Sequence, residues 1–187
     1  MGIRGDVTIY NGSIRPSENL WQTTFDAITD AVCLLDLNWK ILQCNKAMED
    51  LLDKSIDEIV GKNCWELIHG TKQPFENCPV IKMKNSLERE SLIFPIDNRW
   101  YQVTADPLFG DGGELSGCVH VIRDITERKE MEKDLDRVLE NVPVPTFVLD
   151  KDHRVRYWNK ACEELTGYSK EDIIGSDNHW KPFFSKP

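Results

Sequence analysis

The hydrophobic and polar positions of the chain change from a strand pattern to a helix pattern near residue 124. Gly117–Ile122 is short and rich in β-branched residues, which is typical of a β-strand. Further on, apolar residues recur with spacings of four, three and four at Met131, Leu135, Val138 and Val142. Such spacing places them on one stripe of an amphipathic helix. The pattern therefore predicts a strand that continues into a helix, and the apolar stripe favours a partner helix.

The change from strand to helix falls at Asp124, Ile125 and Thr126. Either Asp124 or Thr126 can accept hydrogen bonds from the unpaired amides of the first helical turn. Glu127 and Glu130 follow near the positive end of the helix dipole, where carboxylates are stabilising. We therefore predict that this joint is the exit of a first domain.

The chain before the joint predicts a helix, a two-stranded hairpin, short helices and three further strands. Asn45 is a good N-cap, and Ser55 with Glu58 forms a capping box, so each predicts a helix start. Gly110–Gly113 predicts a tight turn and not a phosphate-binding loop, because a strand follows it. The predicted elements are a helix from Ser17, strands Ala31–Leu35 and Trp39–Cys44, helices from Asn45, Ser55 and Pro79, and strands Arg89–Phe94, Arg99–Phe109 and Gly117–Ile122.

An internal repeat appears when the chain is shifted by 114 positions. Residues 36–61 then superpose on residues 150–175 without gaps, with nine of 26 positions identical. The identical positions include two helix caps and a terminating glycine in each copy: Asn45 with Asn159, Ser55 with Ser169, and Gly61 with Gly175. Matching caps at one offset indicate duplicated structure.

The repeat predicts four segments: a flexible leader at 1–16, a first domain with its N-terminal helix at 17–125, a helical linker at 126–141, and a truncated second domain at 142–187. The second copy ends before any counterpart of the last three strands. We therefore expect a fragment of a longer array of such domains, with further sequence on its C-terminal side. We also expect residues beyond about Gly175 to be poorly ordered, because so small a piece buries little surface.

Composition narrows the classes of function. The net charge of −9 argues against a nucleic-acid partner, because phosphate binding needs clustered Lys and Arg. No apolar run approaches the length of a membrane span, and the N-terminus lacks a signal-peptide core, so we expect a cytoplasmic protein. Six cysteines in that compartment indicate thiols or metal ligands and not a disulfide framework. The chain carries no Walker loop, histidine-kinase nucleotide boxes or cyclase signature, so we predict no enzyme activity.

Several segments together resemble the PAS sensor family: Cys44–Ala47, Trp100–Tyr101, Gly117–Arg128 and Gly167–Gly175. The resemblance covers about 20–128 in full and 136–187 in part. It implies an α+β fold with a five-stranded antiparallel sheet in the order 2-1-5-4-3. It also implies helices over one face of that sheet, a pocket between them, and flanking amphipathic helices.

The same resemblance implies a sensory or regulatory module of a signal-transduction protein, usually upstream of a histidine kinase or another output domain. It implies binding of a small ligand or partner, and dimerisation through the flanking helices. Asp124, Ile125 and Thr126 are the expected signal-transmission residues, because the exit helix is covalently continuous with a strand of the sheet. Two alternatives stay open: the joint merely caps a linker, or the domain is a structural dimerisation spacer with a filled interior.

Cys64, His69 and Cys78 form a Cys-x4-His-x8-Cys run. Thiolate and imidazole are good ligands for zinc, iron or haem, which favours a metal-, haem- or thiol-based redox sensor. The run is similar to one in PAS domains of anaerobes, where a redox or iron–sulfur role is implied. Three ligands fall short of a closed tetrahedral site, so Cys44, Cys118 or a partner chain would supply the fourth. The alternative is that the thiols pack as small apolar residues and His69 lies at a helix end.

The run Gly61–Leu67 also resembles the flavin-binding motif of light-oxygen-voltage domains, in which a cysteine attacks the flavin. Trp65 and Ile68, however, stand where that family has the Arg and Gln that contact flavin. The sequence therefore disfavours flavin photochemistry and requires no cofactor, while haem or an iron–sulfur cluster remains an alternative.

Overall fold

The computed structural model describes residues 9–10, 13–14, 20–96 and 98–176. The chain divides into two compact units, Met1–Thr126 and Glu127–Pro187. The elements up to the joint are β1 (Ile9–Tyr10), β2 (Ser13–Ile14), α1 (Leu20–Asp26), β3 (Ala31–Leu35), β4 (Ile41–Cys44), α2 (Lys46–Leu52), α3 (Ile56–Ile59), α4 (Cys64–His69), α5 (Pro79–Ser86), β5 (Glu90–Ile96), β6 (Arg99–Phe109) and β7 (Leu115–Asp124). Next come α6 (Thr126–Asn141), β8 (Phe147–Leu149), β9 (Val155–Trp158), α7 (Lys160–Thr166) and α8 (Lys170–Ile173). The predicted leader and the predicted disorder beyond Gly175 fall largely outside the described residues.

The first unit contains a five-stranded antiparallel sheet in the order β4-β3-β7-β6-β5. Counted along these five strands alone, the order is 2-1-5-4-3, so the predicted fold class is confirmed. β7 is the last of these five strands along the chain, yet it lies at the centre of the sheet and pairs with both β3 and β6. The strand that leads into α6 therefore lies in the middle of the sheet.

One face of the sheet is covered by helices. In β6 the buried side chains Val103 and Ala105 alternate with the less buried Gln102 and Thr104, as in a strand with one covered face. The interior between this face and the helices is filled by buried side chains that the helices contribute: Met48, Ile59, Cys64, Val80 and Met83. Such close packing is the normal state of a protein interior.

The second unit repeats the first hairpin and the two helices that follow it. β8 and β9 pair antiparallel, and Val155, Trp158, Cys162 and Ile173 form a small core of their own. The φ angles of Gly61 and Gly175 are 82° and 83°, and each amide donates to the carbonyl at the start of the preceding strand. The backbone thus repeats at the offset that the sequence predicts.

Candidate functional site

The joint between β7 and α6 stays hydrogen-bonded to the neighbouring strand after β7 has ended. The backbone amide of Ile125 donates to the carbonyl of Trp100 at 2.8 Å, and the amide of Trp100 donates to Thr126 Oγ1 at 2.9 Å. Ile125 is only 4% exposed and lies between two more exposed neighbours. The first residue of α6 is therefore tied to β6 as well as to β7.

Asp124 provides the helix cap. Its Oδ1 accepts hydrogen bonds from both the amide and the hydroxyl of Thr126, and its Oδ2 accepts one from Arg99 Nη1 at 3.2 Å. The hydrogen bonds from Thr126, with a smaller contribution from Arg99, lower the pKa of Asp124 from its ordinary value. The carboxylate is therefore ionised at neutral pH, as a charged N-terminal cap should be.

Helix α6 exposes its apolar stripe. Met131, Leu135 and Val138 are 61%, 59% and 62% exposed. At the other end of the helix, the carbonyl of Leu139 accepts a hydrogen bond from Asn159 Nδ2 at 3.3 Å. The helix thus begins in the hydrogen bonding of the first sheet and ends in that of the second unit, with apolar residues left uncovered in between.

An opening of about 440 Å³ lies beside the joint, between α2 and the nearby ends of the strands. Asp124 and Arg99 line it together, and Ala47 contributes from α2. Its full lining is Thr29, Asp30, Ala31, Ala47, Asp50, Leu51, Arg99, Tyr101, Ile122 and Asp124. A molecule in this opening would touch the residue that caps α6.

A larger groove of about 630 Å³ lies on the opposite face of the sheet. Its floor includes Val32, Thr104, Val119 and Val121, whose positions alternate with those of the buried inward residues. Ion pairs between Arg89 and Asp106 and between Arg123 and Asp30 also border it. This groove does not include the cap residue, so the smaller opening is the better candidate for coupling to the helix.

The residues predicted as metal or redox ligands do not form a metal centre. Cys64 and Cys78 are both buried, while the ring of His69 packs edge-on against Phe75 with centroids 5.0 Å apart. Burial raises the pKa of Cys64 to about 12 and lowers the pKa of His69. Across the described ranges, no group of three or more His, Cys, Asp or Glu side chains is arranged to hold a metal ion. Cys64, His69 and Cys78 are therefore not arranged together as a three-ligand metal site in this structure.

Cys64, the residue that a flavin motif would use, is buried. Cys64 belongs to the packed core, and Trp65 and Ile68 pack against that core from the same helix. The protein's own side chains occupy the space next to the thiol. The residues present thus do not fit a flavin.

One buried cluster was missed by reasoning from spacing along the chain. Cys44, Cys33 and His120 face one another in a row across β4, β3 and β7. All three are at most 2% exposed, and Cys33 Sγ lies 3.8 Å from His120 Nδ1. The sequence does place Cys33 and His120 at inward positions of two predicted strands. Whether the two residues meet depends on how those strands pair, which the sequence does not give.

Comparison with known proteins identifies the family. The PAS domain family matches residues 29–127, and the PAS fold matches residues 133–177. The sheet order and these matches define a sensory signalling module. Because the first match spans more than half of the chain, the protein belongs to the PAS domain family, with a second, partial copy after the first.

Several solved structures are similar to parts of this chain at low sequence identity. The PAS domain of a protein from Colwellia psychrerythraea is 22% identical, covering 57% of this chain and 94% of that one, with a TM-score of 0.44. The PAS domain of nitrogen regulation protein NR(II) from Vibrio parahaemolyticus is 22% identical, with coverage of 57% and 98% and a TM-score of 0.45. An RNA-binding light-oxygen-voltage receptor is 17% identical, with coverage of 71% and 41% and a TM-score of 0.51.

Curated relatives match only a short stretch. Phytochrome B of Sorghum bicolor and that of Oryza sativa subsp. indica are each 35% identical over 54 residues, which is 29% of this chain and 5% of the phytochrome. The chain therefore spans a small part of these relatives' length. Within the described residues, no helix is both long enough and apolar enough to cross a membrane.

Proposed function

We propose that this chain is a sensory PAS module of a multi-PAS signalling protein of the histidine-kinase type. A small ligand or partner binds the first unit, and the change passes through the joint Asp124–Thr126 into α6. The observation that carries the proposal is the double role of Asp124, which lines the opening beside α2 and caps α6. Ligand binding and helix geometry then share one side chain.

The coupling works through competition for hydrogen bonds. A ligand that draws Arg99 toward itself removes the charge partner of Asp124. A ligand that displaces Tyr101 shifts the residue that pairs with Asp124 across the two strands. Either change alters how firmly the first turn of α6 is held. The first turn of α6 then has two states, one firmly held and one loosened. A ligand shifts the equilibrium between them only if it binds one state more tightly than the other, and contact with Asp124 provides that difference in affinity.

The exposed stripe of α6 supports a homodimer as the working state. Met131, Leu135 and Val138 are each more than half exposed, and ion pairs such as Arg128 with Glu132 lie along the same helix. Burying the stripe against the same stripe of a second copy would remove apolar surface from water. A change at the joint would then alter how two helices meet, which is the input that a downstream output domain needs.

A bulky substitution in the opening serves as a test without a known ligand. Ala47→Leu and Ala47→Trp place side-chain volume beside Asp124, and we expect faster or slower amide exchange in the first turn of α6 by hydrogen-exchange mass spectrometry. Leu42→Trp is the matched control, because Leu42 is 58% exposed and does not line the opening. Far-UV circular dichroism establishes that each variant is folded. Unchanged exchange in α6 of both folded Ala47 variants would contradict the proposal.

A structural dimerisation spacer is the second candidate function. The observation in its favour is the packed interior between sheet and helices, where Met48, Ile59 and Met83 are fully buried. A spacer needs the dimer contact but no coupling between the opening and the helix. The Ala47 variants therefore separate the two functions, because a spacer predicts an unchanged α6 together with an intact dimer.

A further inference from the structure

Two thiols face each other inside the first unit. Cys33 on β3 and Cys44 on β4 are register partners, are 0% and 1% exposed, and are both free. The amide of Asn45 donates to the carbonyl of Val32 at 3.0 Å, so the backbone hydrogen bonds fall on the neighbouring pair. Cys33 and Cys44 therefore occupy a non-hydrogen-bonded position, where opposing Cα atoms lie about 4.5 Å apart.

That position suits a disulfide. Disulfide-bonded residues have Cα atoms roughly 4.4–6.8 Å apart, and side chains of a non-hydrogen-bonded pair approach each other more closely than those of a hydrogen-bonded pair. Both side chains also point to the same, helix-covered face of the sheet, as register partners must. A bond between the two sulfurs thus requires no change in strand pairing.

The second unit shows that the fold does not need thiols here. At the equivalent position of β8 and β9, Phe147 faces Trp158, with ring centroids 5.8 Å apart. Trp158 is 1% exposed, so this hairpin position packs a core in both units. A pair of large apolar side chains is therefore sufficient for packing, and the cysteine pair in the first unit adds a chemical property that its counterpart lacks.

His120 extends the pair on its other side. Its Nδ1 lies 3.8 Å from Cys33 Sγ, within reach of a thiol proton. Burial, with a smaller effect from His69, lowers the pKa of His120 to about 4, so the ring is neutral at pH 7 and one of its nitrogens can accept a hydrogen bond. His120 is therefore an uncharged hydrogen-bond partner of Cys33 and does not lower the pKa of that thiol, which burial raises well above its ordinary value.

Burial also sets the order of reaction within the pair. It raises the pKa of Cys44 to about 11 and that of Cys33 well above its ordinary value. Cys44 lies on an edge strand, whereas Cys33 lies between two neighbouring strands. Cys44 is therefore the thiol that an oxidant meets first, and reaction is slow enough to need a sustained supply of oxidant.

We propose that Cys33 and Cys44 form an oxidant-responsive dithiol that a hydroperoxide closes into a cross-strand disulfide. The sulfur of Cys44 attacks one peroxide oxygen, the O–O bond breaks, and the other oxygen leaves with the Cys44 thiol proton as water or an alcohol, so that Cys44 becomes a sulfenic acid. The sulfur of Cys33 then attacks the sulfur of Cys44 and expels hydroxide, which takes up the Cys33 proton and leaves as water. With hydrogen peroxide, two thiols and one peroxide give one disulfide and two waters. This reaction does not depend on the proposed ligand-dependent function.

Peptide mapping of the full-length, reduced chain tests the proposal. The chain is treated with hydrogen peroxide, quenched with catalase, alkylated in denaturant and digested with trypsin. Cleavage after Lys40 and Lys46 leaves Cys33 and Cys44 on separate peptides, which stay joined only through a disulfide. We expect the joined pair to become the main oxidised species, and to separate again after treatment with a small thiol.

Matched variants and a denatured sample complete the test. Cys33→Ala and Cys44→Ala should abolish the joined species, whereas Cys162→Ala, at an equally buried thiol of the second unit, should leave it unchanged. Oxidation in urea should give mixed pairings, because strand register no longer selects partners. The proposal is overturned if the native wild-type chain joins other cysteines instead, or if Cys44 proceeds to a sulfinic acid on an unjoined peptide.

Discussion

Asn45 and Asn159 make the same hydrogen bonds in the two units of the chain. Each side-chain oxygen accepts from an amide near the start of the first hairpin strand, Val32 in β3 and Thr146 just before β8, and from an amide in the first turn of the following helix, at 2.9 and 3.1 Å in both units. Each side-chain nitrogen donates to backbone carbonyls ahead of the strand. One asparagine thus fastens a strand, a helix and the segment before them in each unit, and both are at most 1% exposed.

We expect Asn45→Ala to destabilise the first unit by about 2–4 kcal/mol. The substitution removes an N-cap and also leaves buried backbone groups without partners, and each loss costs roughly 1–3 kcal/mol. Urea unfolding followed by tryptophan fluorescence measures the change. Asn38→Ala is the control, because Asn38 is exposed and its substitution should alter the free energy of unfolding by less than about 0.5 kcal/mol. If the two variants changed the free energy of unfolding equally, Asn45 would not be the residue that stabilises the strand and the helix together.

We expect His120 to make the protein less stable as the pH falls from about 6.5 to about 4. The folded protein, in which the pKa is lowered to about 4, resists protonation that the unfolded chain accepts below about 6.5. The loss across this window is roughly 3 kcal/mol. Its upper part lies above the range where carboxylates titrate, so urea unfolding between pH 7 and 5 isolates the histidines.

His120→Asn should flatten this pH dependence even if it lowers stability at every pH. The variant removes the titrating ring, while His69, whose pKa is also lowered by burial, retains its smaller effect in the same direction. A slope between pH 7 and 5 that matches the wild-type slope would show that His120 is not the group responsible.

We expect Thr126→Val to loosen the start of α6. The substitution keeps the shape of the side chain but removes the hydroxyl that accepts from Trp100 and donates to Asp124. A lost hydrogen bond of this kind costs roughly 0.5–1.5 kcal/mol. Hydrogen exchange of the first helical turn should accelerate in the valine variant, whereas Thr126→Ser should resemble wild type. Equal exchange rates in all three proteins would argue against a restraint by this hydroxyl.

We expect Leu135→Glu to weaken self-association without unfolding either unit. Leu135 is 59% exposed, so a charge there disturbs the stripe and not a core. Sedimentation velocity of the full chain should show a shift from dimer toward monomer. Lys133→Glu changes the charge at an exposed position of the same helix outside the stripe and should leave the dimer intact. Dimerisation that survives Leu135→Glu would assign the interface to another surface.

Local features of the fold were predictable from the sequence because they depend on neighbouring residues. The cap at Asn45, the capping box at Ser55 and the repeat at an offset of 114 residues are all present in the structure. The start of β4 was misplaced, because Trp39 has a φ of 65° and turns the chain before Ile41 begins the strand. The end of β7 was also set too early, since Asp124 is exposed and polar yet still pairs with Tyr101.

Contacts between distant residues were not predictable from spacing. The pattern around Cys64, His69 and Cys78 suggested a ligand set because the three residues are close in sequence. The contact between Cys33 and His120 joins residues 87 positions apart, and only the pairing of β3 with β7 brings them together. The opening beside Asp124 likewise depends on how α2 lies over the strand ends.

In the proposed function, the buried Ile125 is the pivot of α6. A helix of 16 residues is about 24 Å long, so a tilt of about 10° around Ile125 displaces its far end by about 4 Å. A small movement of the core residues that contact Ile125 would thus become a larger movement at the far end of α6. If α6 carries the signal as proposed, a well-packed core that barely deforms can in this way displace the far end of the helix.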